Sequence, residues 1–258
     1  MQQIIAQWVD RLRQEYPDAI AVVLKGSHAR GEAGAWSDID FDVLVSAPEI
    51  EIYRTWIEPV GERLVHISAA VESLAGWLGE TGEPASWSLG LPTIETTSLL
   101  WAASDELRAQ LDHPARSHPA AEPEVEDTME ALGKIRSAHA RGDDVGVYGS
   151  ANKLATLIPT MLIPINPHTP VSNSRAAVTA VLGWPNLPAG FAEDWLRCMG
   201  YVDTRTPATT AASAEQLFNS VLAMLPVDPA VVGEDIARLL SDGLLRHYLD
   251  QLNDSLEA

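Results

Sequence analysis

The chain has 258 residues, of which 46% are hydrophobic and eight are Trp; a sizeable core is expected and wholesale disorder is excluded. It carries 36 acids against 17 bases, a net charge of −19, which makes nucleic acid an unfavourable partner and a cationic one favourable. No apolar run approaches the roughly 20 residues of a membrane span, and the lone Cys198 rules out an intrachain disulfide and makes the cytoplasm the expected compartment.

The acid excess is spread evenly, with 18 acids up to Ala120 and 18 after it. It therefore speaks to solubility before it speaks to partners. The first stretch, 3–16, places Ile4, Ile5, Trp8, Val9 and Leu12 at helical spacing, and it lacks the basic-then-apolar order of a signal peptide. Pro17-Asp18 ends that helix. Ala19 to Leu24 reads as a buried strand, and Lys25-Gly26-Ser27 turns out of it. Residues 28–34 suit a short helix or loop, with His28 at the surface. Asp38 to Val45 is a second strand. Residues 49–60 read as a charged amphipathic stretch with Tyr53, Trp56 and Ile57 on one face. Leu64 to Val71 is a third strand, 94–101 a fourth, and 104–111 a short helix.

The texture then changes. Pro114, Pro119 and Pro123 mark a linker over 113–123. Beyond it the pattern is helical: 124–141, 144–165 interrupted by Pro159 and Pro164, 172–182, 188–199, 211–225 and 231–252. The expected fold class is α+β, with a small mixed sheet and flanking helices over 1–112 and an all-α bundle over 124–258.

Chemistry concentrates between Val22 and Val45. Gly26 ends a strand, and its missing Cβ lets a phosphate approach the backbone. Ser27 supplies a hydroxyl, and the amides of the turn after it suit an anion. Asp38 and Asp40 are two apart on a strand, so both project from one face about 7 Å apart. Carboxylates at that spacing suit Mg²⁺ ions shared with triphosphate oxygens. Read structurally, the same residues would be an ordinary turn and exposed strand acids; their order between apolar strands favours the chemical reading.

Gly26-Ser27, a ten-residue spacer and Asp38-Ile39-Asp40 resemble the signature of the polymerase-β-like nucleotidyltransferase superfamily, strongly over 19–46 and more weakly to 112. The helical half looks like the bundle of its aminoglycoside- and lincosamide-modifying members in order and length only. The resemblance implies that Gly26-Ser27 holds the triphosphate of ATP or another NTP and that Asp38 and Asp40 hold two Mg²⁺ ions. A hydroxyl then attacks the α-phosphorus and pyrophosphate leaves.

The family's third carboxylate is missing. Its position falls on His66, which can take a hydroxyl proton but is a poor Mg²⁺ ligand. Glu72 and Glu95 are alternative acids, and Asp42 reads as supporting or solvated. Arg30 faces either the phosphates or a neighbouring Glu32 or Asp38. Lys153 is either a cation for the triphosphate or a surface residue paired with Asp143 or Asp144. Trp87, Trp101 and Trp184 are stacking candidates or core. The expected function is a Mg-dependent transfer of AMP from ATP to a hydroxyl of a small molecule, an aminoglycoside-like antibiotic being one candidate. The alternatives are modification of a protein or tRNA, and nucleotide binding without turnover.

Overall fold

A computed structural model describes residues 1–47, 51–80, 89–91, 96–112, 123–232, 234–241 and 243. The chain divides into two units, Met1–Ser86 with Pro92–Pro119, and Trp87–Leu91 with Ala120–Ala258. The architecture is α+β: a five-stranded mixed sheet with helices in the first unit, helices in the second. Among the described residues no helix is long and apolar enough to cross a membrane.

In the first unit, α1 (Gln2–Glu15) precedes β1 (Ala19–Leu24), and a single turn, α2 (Gly26–Ala29), leads to β2 (Ile39–Val45). A hairpin of β3 (Glu51–Val60) and β4 (Arg63–Ser73) follows, then α3 (Leu74–Glu80), β5 (Ser98–Ala102) and α4 (Asp105–Asp112). The strand order is β3-β4-β2-β1-β5. The β2/β4 pair is parallel and the other pairs are antiparallel. Alternation along β2 sends Ile39, Phe41, Val43 and Val45 under α1, where they meet Trp8, Val9 and Leu12. Leu44 goes the other way, to Ala21, Val23, Trp77 and Leu111.

The stretch 49–60 departs from its expected pattern. Residues 51–60 are strand β3, which sends Trp56 and Ile57 to opposite faces. Trp56 packs at 4.8 Å against Trp8, with Arg11 lying over both rings; Ile57 is exposed. Tyr53, Trp56 and Ile57 fit helical spacing, but Gly61 (φ 64) starts a two-residue turn that joins Val60 to Arg63. That turn registers the stretch against β4 and makes it a strand. Helix α3 was not anticipated.

In the second unit, α5 (Val125–Ala140), α6 (Asp144–Leu162), α7 (Ser174–Leu182), α8 (Phe191–Met199) and α9 (Pro207–Leu222) surround one core, followed by α10 (Pro229–Val232) and α11 (Glu234–Ser241). Pro159 does not interrupt α6 as its sequence suggests; it lies inside the helix. Proline has no N–H for the carbonyl four residues back, and at Ala155 the buried Trp195 indole Nε1 donates in its place at 2.7 Å. Arg136 on α5 donates through two nitrogens to the Glu215 carboxylate on α9. The short segment 89–91 belongs to this unit. Gly90 (φ 73) lies so close to α6 that a Cβ would come 2.9 Å from Thr160 Cγ2, and Leu91 is fully buried in the helical core.

Candidate functional site

The apolar strand β1 ends at Leu24, and the N–H of Lys25 after it donates to the Asp40 carbonyl at 2.9 Å. Gly26 then turns with φ 63, in the left-handed region where a side chain is strained. A Cβ at residue 26 would stand 3.0 Å from Asp40 Oδ2. Glycine is therefore required twice, once for the turn and once for the carboxylate against it. Ser27 follows in α2, and its carbonyl accepts the Glu32 N–H at 2.9 Å.

Three aspartates leave β2 and its entry on one face, at three depths. Asp38 is exposed, Asp40 half-buried and Asp42 fully buried. Asp40 is oriented by Ser68 on the parallel neighbour β4, whose Oγ donates to Oδ1 at 2.6 Å. Asp42 is not solvated. Its Oδ2 accepts from Trp77 Nε1 at 2.9 Å, and Lys25 Nζ lies 2.9 Å from its Oδ1. Asp38 and Asp40 present hard oxygen donors of the kind Mg²⁺ takes when waters and phosphates complete its shell. Among the described residues no group of three or more His, Cys, Asp and Glu joins into a ligand cluster.

His66 stands beside this pair. Its Nδ1 is 3.8 Å from Asp38 Oδ2, adjacent but beyond hydrogen-bond length. Arg30 Nε donates to Glu32 Oε2 at 2.9 Å. Lys153, in the second unit, is exposed with its Nζ 3.9 Å from Asp127 Oδ2. Glu72 lies at the far end of β4, opposite Leu44 and nearly buried. Glu95 and Trp87 lie outside the described residues. Trp184 belongs to the helical core, and Trp101 carries the Arg13 guanidinium 4.2 Å over its ring.

His28 is not a surface residue. It is half-buried, and its Nε2 is enclosed with no hydrogen-bond partner among the described residues. It lines a cavity of about 700 Å³ with Val9, Leu24, Leu100 and Trp101. Burial pushes the imidazole below its ordinary value of 6.5, against the opposing pull of Asp38 and Asp40.

Ser68, Lys25 and Trp77 were not singled out by sequence. Ser68 had a signal, since it alternates onto the same face as His66. Lys25 and Trp77 had none, because the burial of Asp42 that requires them is a tertiary fact.

Residues 5–78 match the model of a nucleotidyltransferase domain. Residues 124–236 match a second family model, described as the substrate-binding domain of a nucleotidyltransferase. Over 103 residues, 40% of this chain, the sequence is 35% identical to a bifunctional uridylyltransferase/uridylyl-removing enzyme of Pseudomonas entomophila (strain L48). The match spans 11% of that protein's length. A crystal structure of a nucleotidyltransferase-like protein from Exiguobacterium sibiricum 255-15 aligns over 84% of this chain and 76% of its own, with a TM-score of 0.42 and 13% identity.

Proposed function

Because the chain belongs to the polymerase-β-like nucleotidyltransferase superfamily, we propose that it moves a nucleoside monophosphate, AMP from ATP, to a hydroxyl of a small molecule and releases pyrophosphate. The observation that carries this reading is the close approach of the Asp40 carboxylate to Gly26, where a Cβ would stand 3.0 Å from Oδ2, which sets the Gly26-Ser27 turn against a carboxylate that shares its face with Asp38. Asp38 and Asp40 would hold two Mg²⁺ ions; bound there, the ions neutralise phosphate charge and polarise the phosphorus under attack. Ser68 fixes the Asp40 carboxylate by its 2.6 Å hydrogen bond. The Gly26-Ser27 turn receives the triphosphate, with Arg30 as a cation on this reading. His66, 3.8 Å from Asp38, takes the proton of the attacking hydroxyl. Residues 1–112 carry the nucleotide on this reading and 124–258 contribute to the acceptor side, in the cytoplasm.

The test supplies Mg²⁺ with ATP or UTP, the latter because the curated relative is a uridylyltransferase, and a panel of hydroxylated aminoglycosides and lincosamides. Pyrophosphate release that Asp40→Ala lowers by about 10³-fold or more is expected. A second reading, nucleotide binding without turnover, draws on the absence, among the described residues, of a group of three or more His, Cys, Asp and Glu that could hold a metal ion. It predicts calorimetric binding of nucleotide with no pyrophosphate from any acceptor. Failure to bind any nucleotide would sink both.

A further inference from the structure

The two faces of the sheet are covered unequally. On the α1 face, Trp56 and Ile52 of β3 pack into the core. On the other face, Trp77 of α3 and Leu111 of α4 cover Ala21, Val23 and Leu44. Among the described residues, the β3 end of that second face is exposed at Tyr53 and Ile57. Its outward residues, by register, form rows: Tyr53, Thr55, Ile57 and Pro59 on β3 stand opposite Ala70, Ser68, His66 and Leu64 on β4. Asp40 and Asp42 stand opposite Ser68 and Ala70 from the other side.

Beside the polar Thr55, Ser68 and His66, these rows carry apolar side chains where water would favour polar ones. Tyr53, Ile57 and Leu64 are 63%, 59% and 69% exposed. Trp36, 92% exposed, lies on the loop that enters Asp38, and Arg63 Nη1 ties that loop to the start of β4 by donating to the Ala35 carbonyl. Exposed hydrophobics scattered singly carry no message, whereas a contiguous set rimmed by polar groups marks a contact surface. This set is continuous with the candidate site. Ile57 pairs directly with His66, and Leu64 precedes His66 by two on the same strand face. Strand geometry places both within about 5–7 Å of His66.

We propose that Ile57 and Leu64 form the acceptor platform and select an amphipathic hydroxyl-bearing small molecule. This rests on the transfer reading above. The reacting hydroxyl meets Asp38, Asp40 and His66, and an apolar limb within about 5–7 Å of that hydroxyl lies over Ile57 and Leu64. A uniformly hydrated polycation would leave these side chains wet and gain nothing from them. The platform therefore narrows the acceptor from any cationic polyol to one with an apolar arm near the modified position.

The experiment compares two glycosides with identical hydroxyls, methyl and octyl β-D-glucopyranoside, by calorimetry on the full chain with Mg²⁺ and α,β-methylene-ATP. Binding of the octyl glycoside about tenfold or more tighter than the methyl one is expected. Ile57→Thr with Leu64→Thr should erase that preference, and Val145→Thr, at an exposed residue of the helical unit, should keep it. Equal binding of the two glycosides overturns the platform, as does a preference that survives in the double variant. So does light scattering that shows a wild-type dimer and a monomeric double variant, because the patch is then an interface between copies. Failure of the wild type to bind α,β-methylene-ATP overturns the transfer reading and the platform with it; a normal nucleotide isotherm with a failed glycoside comparison overturns the platform alone.

Discussion

Lys25→Met tests the anchoring of the turn at Gly26. Asp42 is fully buried and faces Lys25 Nζ at 2.9 Å and Trp77 Nε1 at 2.9 Å. Methionine keeps most of the apolar stem of Lys25 and removes its charge. Stripping one partner from a buried pair costs about 3–5 kcal/mol. The Lys25 side chain is 24% exposed, so water can partly replace the ammonium, and the expected loss falls at or below the bottom of that range, about 2–3 kcal/mol. Against a total stability of about 5–15 kcal/mol that is a large fraction. Adding Asp42→Asn to Lys25→Met removes the stranded charge, keeps an acceptor for Trp77, and should recover at least about 1 kcal/mol. The two units need not unfold together, so the assay is urea denaturation read by hydrogen exchange of peptides from β1 and β2. A Lys25→Met variant within about 0.5 kcal/mol of wild type would refute the reasoning, as would an Asn substitution that adds to the damage.

Gly26→Ala should cost about 1–2 kcal/mol for its left-handed turn and displace the Asp40 carboxylate; kcat for pyrophosphate release should fall about 10²-fold, well beyond the change in Tm. Trp195→Phe leaves the Ala155 carbonyl, already denied the Pro159 N–H, without its indole donor; denaturant melts of the helical unit should show a loss of about 1–3 kcal/mol. Cys198 is buried, and desolvation pushes its thiol from 9.0 up to about 12, so a disulfide-exchange reagent at pH 8 should label the protein only after unfolding. The folded state holds this proton more tightly than the unfolded one, so the contribution is full below pH 9 and is lost as pH rises toward about 12; Cys198→Ala should flatten the alkaline limb of the stability–pH curve.

Much of the first unit was legible because its signals are local. The apolar run of β1 and the alternation of β2 fall where the structure puts them. Gly26, Asp38 and Asp40 could be picked out because a backbone requirement and a strand period place them on one face. Strand β3 was not legible: aromatic and β-branched residues at 53, 56 and 57 satisfy a helical stripe as well as a strand, and only the pairing with β4 decides. Pro159 misled for the same reason. The rule that proline breaks a helix concerns unsatisfied groups, and the Trp195 indole that satisfies the Ala155 carbonyl comes from 40 residues away. The depth gradient from Asp38 to Asp42 is likewise absent from sequence, which sets Asp42 apart only as supporting or solvated and does not show its burial.

Leu91, fully buried among the helices, and Gly90, pressed against Thr160 and Ile163, have a practical meaning for anyone dissecting the chain. The two units are not consecutive in sequence, because 89–91 belong to the helical one while β5 and α4, which follow them, belong to the sheet. No single cut releases either unit whole. A fragment starting at 123 would carry a hole where Leu91 sits, and chimeras that exchange the helical half should transplant 89–91 along with it, as a second splice upstream of the obvious one.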